Sequence, residues 1–267
     1  MRIARVAGHF GELIQGRLGP GGPVVLITLP CPVLAAEAVW RPGHFALHQP
    51  GARVATPGIV AALLVRLGVP RRGRFSLRLA MMPGGGAGAS SAALMALARA
   101  AGVEDVDAIT RACLAIEGAT DPLLFPAPER VLWASRLGEA RAAMPPLPRM
   151  EILGGFRGPG VATDPADNNF PDVADLVATW PAACGDAAGV ARLAQMSAER
   201  TLAVRGPRDD PTAELARSFG ALGWAMAHTG AARALIFRPG TAPEAAVADL
   251  RAAGFCSITR FRIGGGT

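Results

Sequence analysis

"MMPGGGAGASSAALMALARA", residues 81–100, sets a proline and a run of glycines directly ahead of paired serines and an alanine-rich apolar run. Strand-like residues end at Met82, Pro83 to Ala89 make a compliant turn, and Ser90 and Ser91 stand where a helix should begin. Glycines let successive backbone N–H groups converge, and a helix start adds unpaired donors and the positive end of its dipole. Either serine could cap the helix, and the other could reach a phosphate or a bound magnesium ion. The competing possibility is a small-residue turn with a hydroxyl cap, and local chemistry leaves both open. The spacing is neither the dinucleotide-binding glycine pattern nor a Walker A loop, which needs a lysine.

That lysine could not come from elsewhere, because the 267-residue chain contains no lysine and no tyrosine. A lysine Schiff base and a Tyr/Lys redox pair are excluded, and phosphate chemistry must rely on backbone amides, arginine, hydroxyls or metal. The net charge of +6 comes from arginine spread along the sequence. Its one dense cluster, "RRGR" at 71–74, lacks interleaved aromatics and reads as a solvated turn, so no nucleic-acid partner is expected. A basic surface can still steer anionic substrates. With 51% hydrophobic and 18% charged residues the composition is that of a folded globular protein. Apolar runs are broken by Arg, Gly or Pro, and the opening "RIARVAG" has no leader-like apolar core, so no membrane association and a cytoplasmic location are expected. Cys31, Cys113, Cys184 and Cys256 are too widely separated for a zinc pair or a dense disulfide pattern and read as thiols.

Outward from the glycine run, the first half mixes strands and helices. Residues 2–7 read as a strand, "GHFGELIQG" at 8–16 as a polar turn, and "PGGPVVLITLP" as a second strand. "GHFALHQ" and "GRFSLRLA" continue the β pattern, and Thr56-Pro57 opens a helix at "GIVAALLVRLG". Helices are expected at 90–101 and 106–118, with a third suggested by "PERVLWASRLGEA", before "RMEILGGF" returns to strand. "DNNFPDVADLVATW" and "GDAAGVARLAQMSAERTLAV" read as turns leading into helices. The end gives a helix at "PTAELARSFGALGWAMA", a strand at "AARALIF", a helix at "APEAAVADLRAAG", a strand at "CSITRFRI" and a frayed "GGGT". A soft boundary falls near 140–155, where prolines thicken, predicting two closely joined α+β lobes, 1–148 and 149–267, with a cleft between them.

"PGGGAGASSAA" resembles the phosphate-loop motif of the GHMP small-molecule kinases, with Pro83, Ala89, Ser90, Ser91 and Ala92 matching, Ala87 in place of a glycine and Gly88 in place of Leu or Met. "GHFGELIQG" resembles the Cys-Gly-Glu-Leu-Xaa-Gln-Gly signature of the L-threonine kinase branch linked to cobalamin synthesis and propanediol utilisation, with Phe10 at the cysteine. "AMAHTGAARALIF" resembles the superfamily's late glycine-containing motif. The resemblance implies an α+β GHMP kinase fold, with a ribosomal-protein-S5-like N-terminal lobe and a ferredoxin-like C-terminal lobe. It implies ATP and Mg2+ as cofactors, phosphate contacts along Pro83, Gly84, Gly85, Gly86, Ala87, Gly88, Ala89, Ser90, Ser91 and Ala92, and transfer to a small hydroxyl compound. L-threonine is the favoured acceptor, with homoserine or another small alcohol, or a noncatalytic ATP-binding regulator, as alternatives. A homodimer is left open.

The polar residues that could do this chemistry are few. Glu117 and Asp121 share one side if helical geometry spans them, and Pro122 makes Asp121 a helix-end residue. A solvated carboxylate and a turn-forming Asp are the plain alternative. The resemblance implies that Asp121 orients or deprotonates the acceptor and that Glu117 and Ser91 hold magnesium, although this chain carries one extra residue between the two acids. His9, Glu12 and Gln15 form a polar group that could contact the acceptor's charged ends or simply a turn network; Glu12 suits an ammonium. An arginine would suit the acceptor's carboxylate, and nothing in the sequence selects one. The resemblance also implies Asp164, in "TDPADNNF", as an acceptor-side candidate; the residues themselves equally suit a capped turn. His228, Thr229 and Gly230 could approach the nucleotide, or His228 could cap the preceding helix. The four tryptophans are scattered and read as structural.

Overall fold

A computed structural model describes residues 1–161 and 164–266. Ten strands form one sheet in the order β10-β7-β9-β8-β1-β2-β4-β3, with the β5/β6 hairpin attached to β2. The elements are β1 (Arg2–Arg17), β2 (Val24–Arg41), β3 (Ala46–His48), α1 (Pro57–Arg66), β4 (Arg74–Leu79), α2 (Ala89–Ala101), α3 (Val106–Glu117), β5 (Val131–Ala134) and β6 (Glu139–Ala143). They continue with β7 (Met150–Arg157), α4 (Ala174–Ala183), α5 (Ala187–Arg205), α6 (Thr212–Ser218), β8 (Gly223–Met226), β9 (Ala232–Phe237), α7 (Ala246–Ala252) and β10 (Phe255–Ile263). All pairs are antiparallel except β3 with β4. Strands from before and after residue 148 occupy opposite halves of the sheet and meet where Glu12 of β1 faces Met226 of β8. No helix of the described residues is long and apolar enough to cross a membrane.

The stretch expected as a strand at 2–7 followed by a polar turn at 8–16 is instead one 16-residue β1, and the next expected strand is β2. Its glycines let the chain bulge without leaving the ladder: register shifts fall between Ala7 and Gly8 and twice more between His9 and Ile14. Because successive strand residues face opposite ways, each shift re-aims the side chains that follow. Phe10 turns into the core against Phe156 and Phe261, at ring separations of 5.1 and 6.0 Å.

Helix α2 packs on β1, β2 and its neighbouring helices, and Ala is what permits it. Eleven of its residues are buried, so it needs small side chains all round rather than one apolar stripe. Fully covered Leu94 and Leu97 each contribute about 2 kcal/mol of apolar burial.

Three sequence expectations fail where long-range pairing overrides local pattern. The suggested helix at 128–140 is a single 3-10 turn followed by the β5/β6 hairpin. Val131, Leu132 and Trp133 pack inward, β5 pairs with β2, and the Trp133 indole N–H is fixed to Thr120 O at 2.7 Å. The helix expected across 211–227 stops at Ser218, where Gly220 (φ 66°) breaks it, and 223–226 joins the sheet as β8. "GHFALHQ" contributes only the three-residue β3. The terminal glycines do not fray at Gly265, whose N–H donates to Leu147 O at 3.0 Å; Thr267 lies outside the described residues.

Candidate functional site

The glycine loop rests on the molecule through its carbonyls. Gly84 O accepts from Val161 N, Gly85 O from Ala232 N, Gly86 O from Gly11 N and Ala87 O from His9 N, at 2.8–3.2 Å. Gly84, Gly86 and Gly88 take the left-handed conformation, with φ of 68°, 75° and 70°. Ala87 does not, so its methyl is tolerated between two glycines that carry the turn. Gly88, not a serine, is the N-cap residue of α2, and it makes no side-chain cap bond. The first helical bond runs from Ala92 N to Gly88 O, leaving the amides of Ala89, Ser90 and Ser91 ahead of the helical ladder. Both serine hydroxyls are thereby released from capping to meet acids.

Ser90 Oγ donates to Glu117 Oε1, and Ser91 bonds Asp121. Helix α3 ends at Glu117 on a left-handed Gly118, so the expected helical i, i+4 arrangement does not extend to Asp121. A turn carries Asp121 back instead, anchored by Thr120 N donating to Ser135 O at 2.9 Å and Trp133 to Thr120 O.

From the other side, β1 contributes His9 and Glu12. His9 Nδ1 lies 3.2 Å from Gly11 O and 3.3 Å from Glu12 Oε1, and Nε2 lies 3.6 Å from Asp121 Oδ2. Burial opposes protonation of His9, but the two carboxylates outweigh it and raise its pKa to about 9. Burial pushes Glu12 up, against the pull of His9. Burial would also raise Asp121, yet the His9 imidazolium 3.6 Å from Oδ2 and the Ser91 hydroxyl hold it below the usual carboxylate range. Burial lifts Glu117 to about 7, with Ser90 opposing and Asp121 adding to the rise. The ligand atoms of His9, Glu12 and Asp121 lie within 4.8 Å of one another, a spacing a cation could use; a protonated imidazole already serves that purpose.

These groups open on a cleft of about 620 Å³. Pro83, Gly84, Gly86, Gly88, Ala89, Ser90 and Ser91 line it, together with His9, Glu12, Glu117, Asp121, His228 and Thr229. The other expected contacts do not. Gly85 and Ala87 face away, and Ala92 is wholly buried in α2. Gln15 is 1% exposed, its amide donating to Met226 O at 3.1 Å and its backbone N–H to Ser197 Oγ at 2.9 Å, so it ties β1 to β8 and α5. The register shifts after His9 turn it off the cleft. Asp164 is exposed and accepts Ala166 N at 2.8 Å in a local turn; Thr163 beside it lies outside the described residues. Gly230 sits behind the glycine loop, where a Cβ would fall 2.6 Å from Gly85 C and Gly86 N.

His228 follows β8 and caps no helix. Its ring stacks on Phe170 at 4.3 Å and 2°, and its Nε2 is buried without a partner among the described residues. Burial, with Arg205 and Arg136 nearby, lowers its pKa to about 3 and keeps it neutral. Arg136 and Arg205 also lie over Phe170, at 5.2 and 4.6 Å. Arg136 lines the cleft beside Ser135, and Arg53, Val54, Ile59 and Ile116 are also part of the lining. None of these had a sequence signal setting it apart from its neighbours.

No family model matches the chain, and no curated protein matches it in sequence. Solved structures match over its whole length. The mevalonate kinase of L. major, in complex with R-mevalonate, has a TM-score of 0.66 at 15% identity, covering 100% of this chain and 96% of that one. The homoserine kinase of Cytophaga hutchinsonii gives 0.57 at 16%, covering 99% and 96%. A 4-(cytidine 5'-diphospho)-2C-methyl-D-erythritol kinase gives 0.53 at 21%, covering 98% and 98%. The chain has the GHMP kinase fold. In that fold the residues gathered here, from β1, the loop before α2, the turn after α3 and the loop after β8, face one cleft.

Proposed function

We propose that the protein is an ATP-dependent kinase of a small hydroxyl compound, with residues 1–148 and 149–267 as its two lobes. One observation carries this: a left-handed glycine loop and an open helix start face the same cleft as an ionised, half-buried Asp121 set beside the helix's own Ser91. The mevalonate, homoserine and 4-(cytidine 5'-diphospho)-2C-methyl-D-erythritol kinases among its structural neighbours support it.

The donors present suit a magnesium–triphosphate group. Amides ahead of the α2 ladder and the dipole favour anionic phosphate, and a Cβ at Gly88 would fill the cradle, lying 2.6 Å from His9 Cδ2. Ser90, Ser91 and Glu117 are hard oxygen ligands of the kind magnesium takes. The ion's contribution when bound is charge compensation on the transferring phosphoryl group. Val54, Ile59 and Ile116 supply apolar lining fit for a base.

Asp121 receives the acceptor hydroxyl's hydrogen bond and aligns its oxygen for in-line attack. As the oxygen–phosphorus bond forms and the bond to the ADP leaving group breaks, Asp121 takes the proton. His9 holds that carboxylate ionised and oriented. Its low pKa makes it an aligner first and a base only late, when the loose transition state has acidified the hydroxyl.

The acceptor is L-threonine. Glu12, with Oε2 buried and lacking a hydrogen-bond partner of good geometry among the described residues, takes the ammonium, and Arg136 takes the carboxylate. The sequence resemblance to the threonine kinase branch supports a product, O-phospho-L-threonine, destined for cobalamin assembly in the cytoplasm.

The test measures ADP formation from ATP with threonine, homoserine, serine or no acceptor, with and without EDTA, and confirms the product by mass. Threonine-dependent, EDTA-sensitive turnover is expected. Faster turnover with homoserine moves the acceptor assignment, and saturable ATP binding with no turnover overturns the kinase reading in favour of a regulatory ATP-binding protein.

A further inference from the structure

Strand β9, "ARALIF", is buried along all six residues, yet its second position is an arginine. A charge there demands partners. Arg233, 4% exposed, donates from Nε to Asp210 Oδ2 at 2.7 Å, and the Asp210 side chain is 1% exposed. The other Asp210 oxygen accepts from Thr212 N and Thr212 Oγ1, at 3.0 and 2.5 Å, so the carboxylate is tied to the start of α6.

What the pair does beyond neutralising itself is visible in the remaining guanidinium bonds. Arg233 Nη1 donates to Gly230 O at 3.0 Å and to Ala232 O at 2.9 Å. Those two residues belong to the segment on which the glycine loop rests. Ala232 N donates to Gly85 O at 2.8 Å, and Gly230 lies so close to Gly85 and Gly86 that it has no room for a Cβ of its own. A Cβ on Gly86 would run into the Ala227 methyl. Residues 227–232 are thus the floor of the loop, and the Arg233 side chain holds two of that floor's carbonyls. A buried ion pair adds little net stability over an apolar pair of the same shape. An apolar pair could not, however, hold Gly230 O and Ala232 O.

We infer that Arg233, oriented by Asp210, is a positioning residue for the phosphate-binding loop. It fixes the floor under Gly85 and Gly86 and so sets the aim of the amides at the start of α2. The inference rests on the proposal that this loop binds nucleotide, and it concerns affinity for the nucleotide rather than for the acceptor.

Direct ADP titration, acceptor KM and amide hydrogen exchange on the full chain separate the possibilities. Arg233→Met is expected to weaken ADP binding about tenfold through lost preorganisation, with acceptor KM changed less than about twofold. Arg233→Lys should recover part of the affinity. Exchange should quicken at 83–91 and stay unchanged in α4. Asp210→Asn, which keeps the side chain's size and a partner for Thr212, serves where Arg233→Met does not fold. Unaltered ADP affinity and loop exchange beside a lowered Tm would reduce the pair to a purely structural one and overturn the inference, as would equal changes in ADP affinity and acceptor KM. Wild-type protein that binds no nucleotide overturns the kinase proposal instead. The exchange comparison then still decides whether Arg233 anchors the loop.

Discussion

Across the cleft, the loop at 83–88 meets its neighbours through backbone atoms, whereas the opposite wall is made of side chains drawn from β1, the turn after α3, the β5/β6 turn and the loop after β8. The backbone wall is set by conformation: three left-handed glycines and four carbonyl bonds leave little freedom. The side-chain wall is set by charge, with His9 between two carboxylates and Arg136 beside a neutral His228. Damage to the first should therefore appear in nucleotide affinity, and damage to the second in turnover, acceptor affinity or pH dependence.

The largest expected effect comes from the side-chain wall. Asp121→Asn keeps the shape but loses the charge and the proton acceptor, and kcat should fall about a thousandfold while ADP affinity, measured by titration, barely moves. Equal losses in both would erase the distinction between the walls. From the backbone side, Gly88→Ala forces a methyl into a left-handed position and against the His9 ring. Conformational strain alone is about 1–2 kcal/mol, so ADP should bind about tenfold more weakly, with a smaller loss in kcat. Arg136→Gln sharpens the acceptor side: threonine KM should rise about tenfold, with ATP KM constant, if that guanidinium meets a carboxylate. An unchanged threonine KM would move the carboxylate to Arg53, the other arginine of the lining.

The smallest effect is thermodynamic. His9 titrates near 9 in the folded protein and near 6.5 unfolded, so its contribution is complete below pH 6.5 and is lost as pH rises through 9. Glu12, with its pKa also raised, acts in the same direction from a lower starting pH. Tm should fall between pH 6.5 and 9.5 by an amount equivalent to roughly 1 kcal/mol or more, and His9→Gln should flatten that decline. A Tm that rises over this range would contradict a protonated His9.

The same division explains what could be read from the sequence. The backbone wall was legible because its constraint is local: glycines at alternate positions 84, 86 and 88 carry the turn, and Ala87 falls on a position that needs no glycine. Even there the cap was misassigned, because Gly88 starts the helix one residue before the serines' neighbour Ala89 and frees both hydroxyls. In the side-chain wall, His9, Glu12 and Asp121, singled out in the sequence, do line the cleft, but Gln15 was expected there too because two register shifts between His9 and Ile14 leave no mark in the residues themselves. Arg136 was missed because local sequence does not distinguish it among 27 arginines; only the hairpin that replaced an expected helix brings it to the cleft. Likewise 223–226 looked helical until β1 and β9 supplied strand partners.

Strand β1 belongs to both walls at once. Through its amides at His9 and Gly11 it holds Ala87 O and Gly86 O, and through the His9 ring it reaches Glu12 and Asp121. The strand is therefore a lever with one arm on each ligand. An occupant that shifts the loop moves the imidazole, and an acceptor that draws on Glu12 or Asp121 pulls back on the loop. Nucleotide and acceptor bound as proposed should not bind independently, and any factor by which nucleotide alters acceptor affinity must equal the factor by which acceptor alters nucleotide affinity.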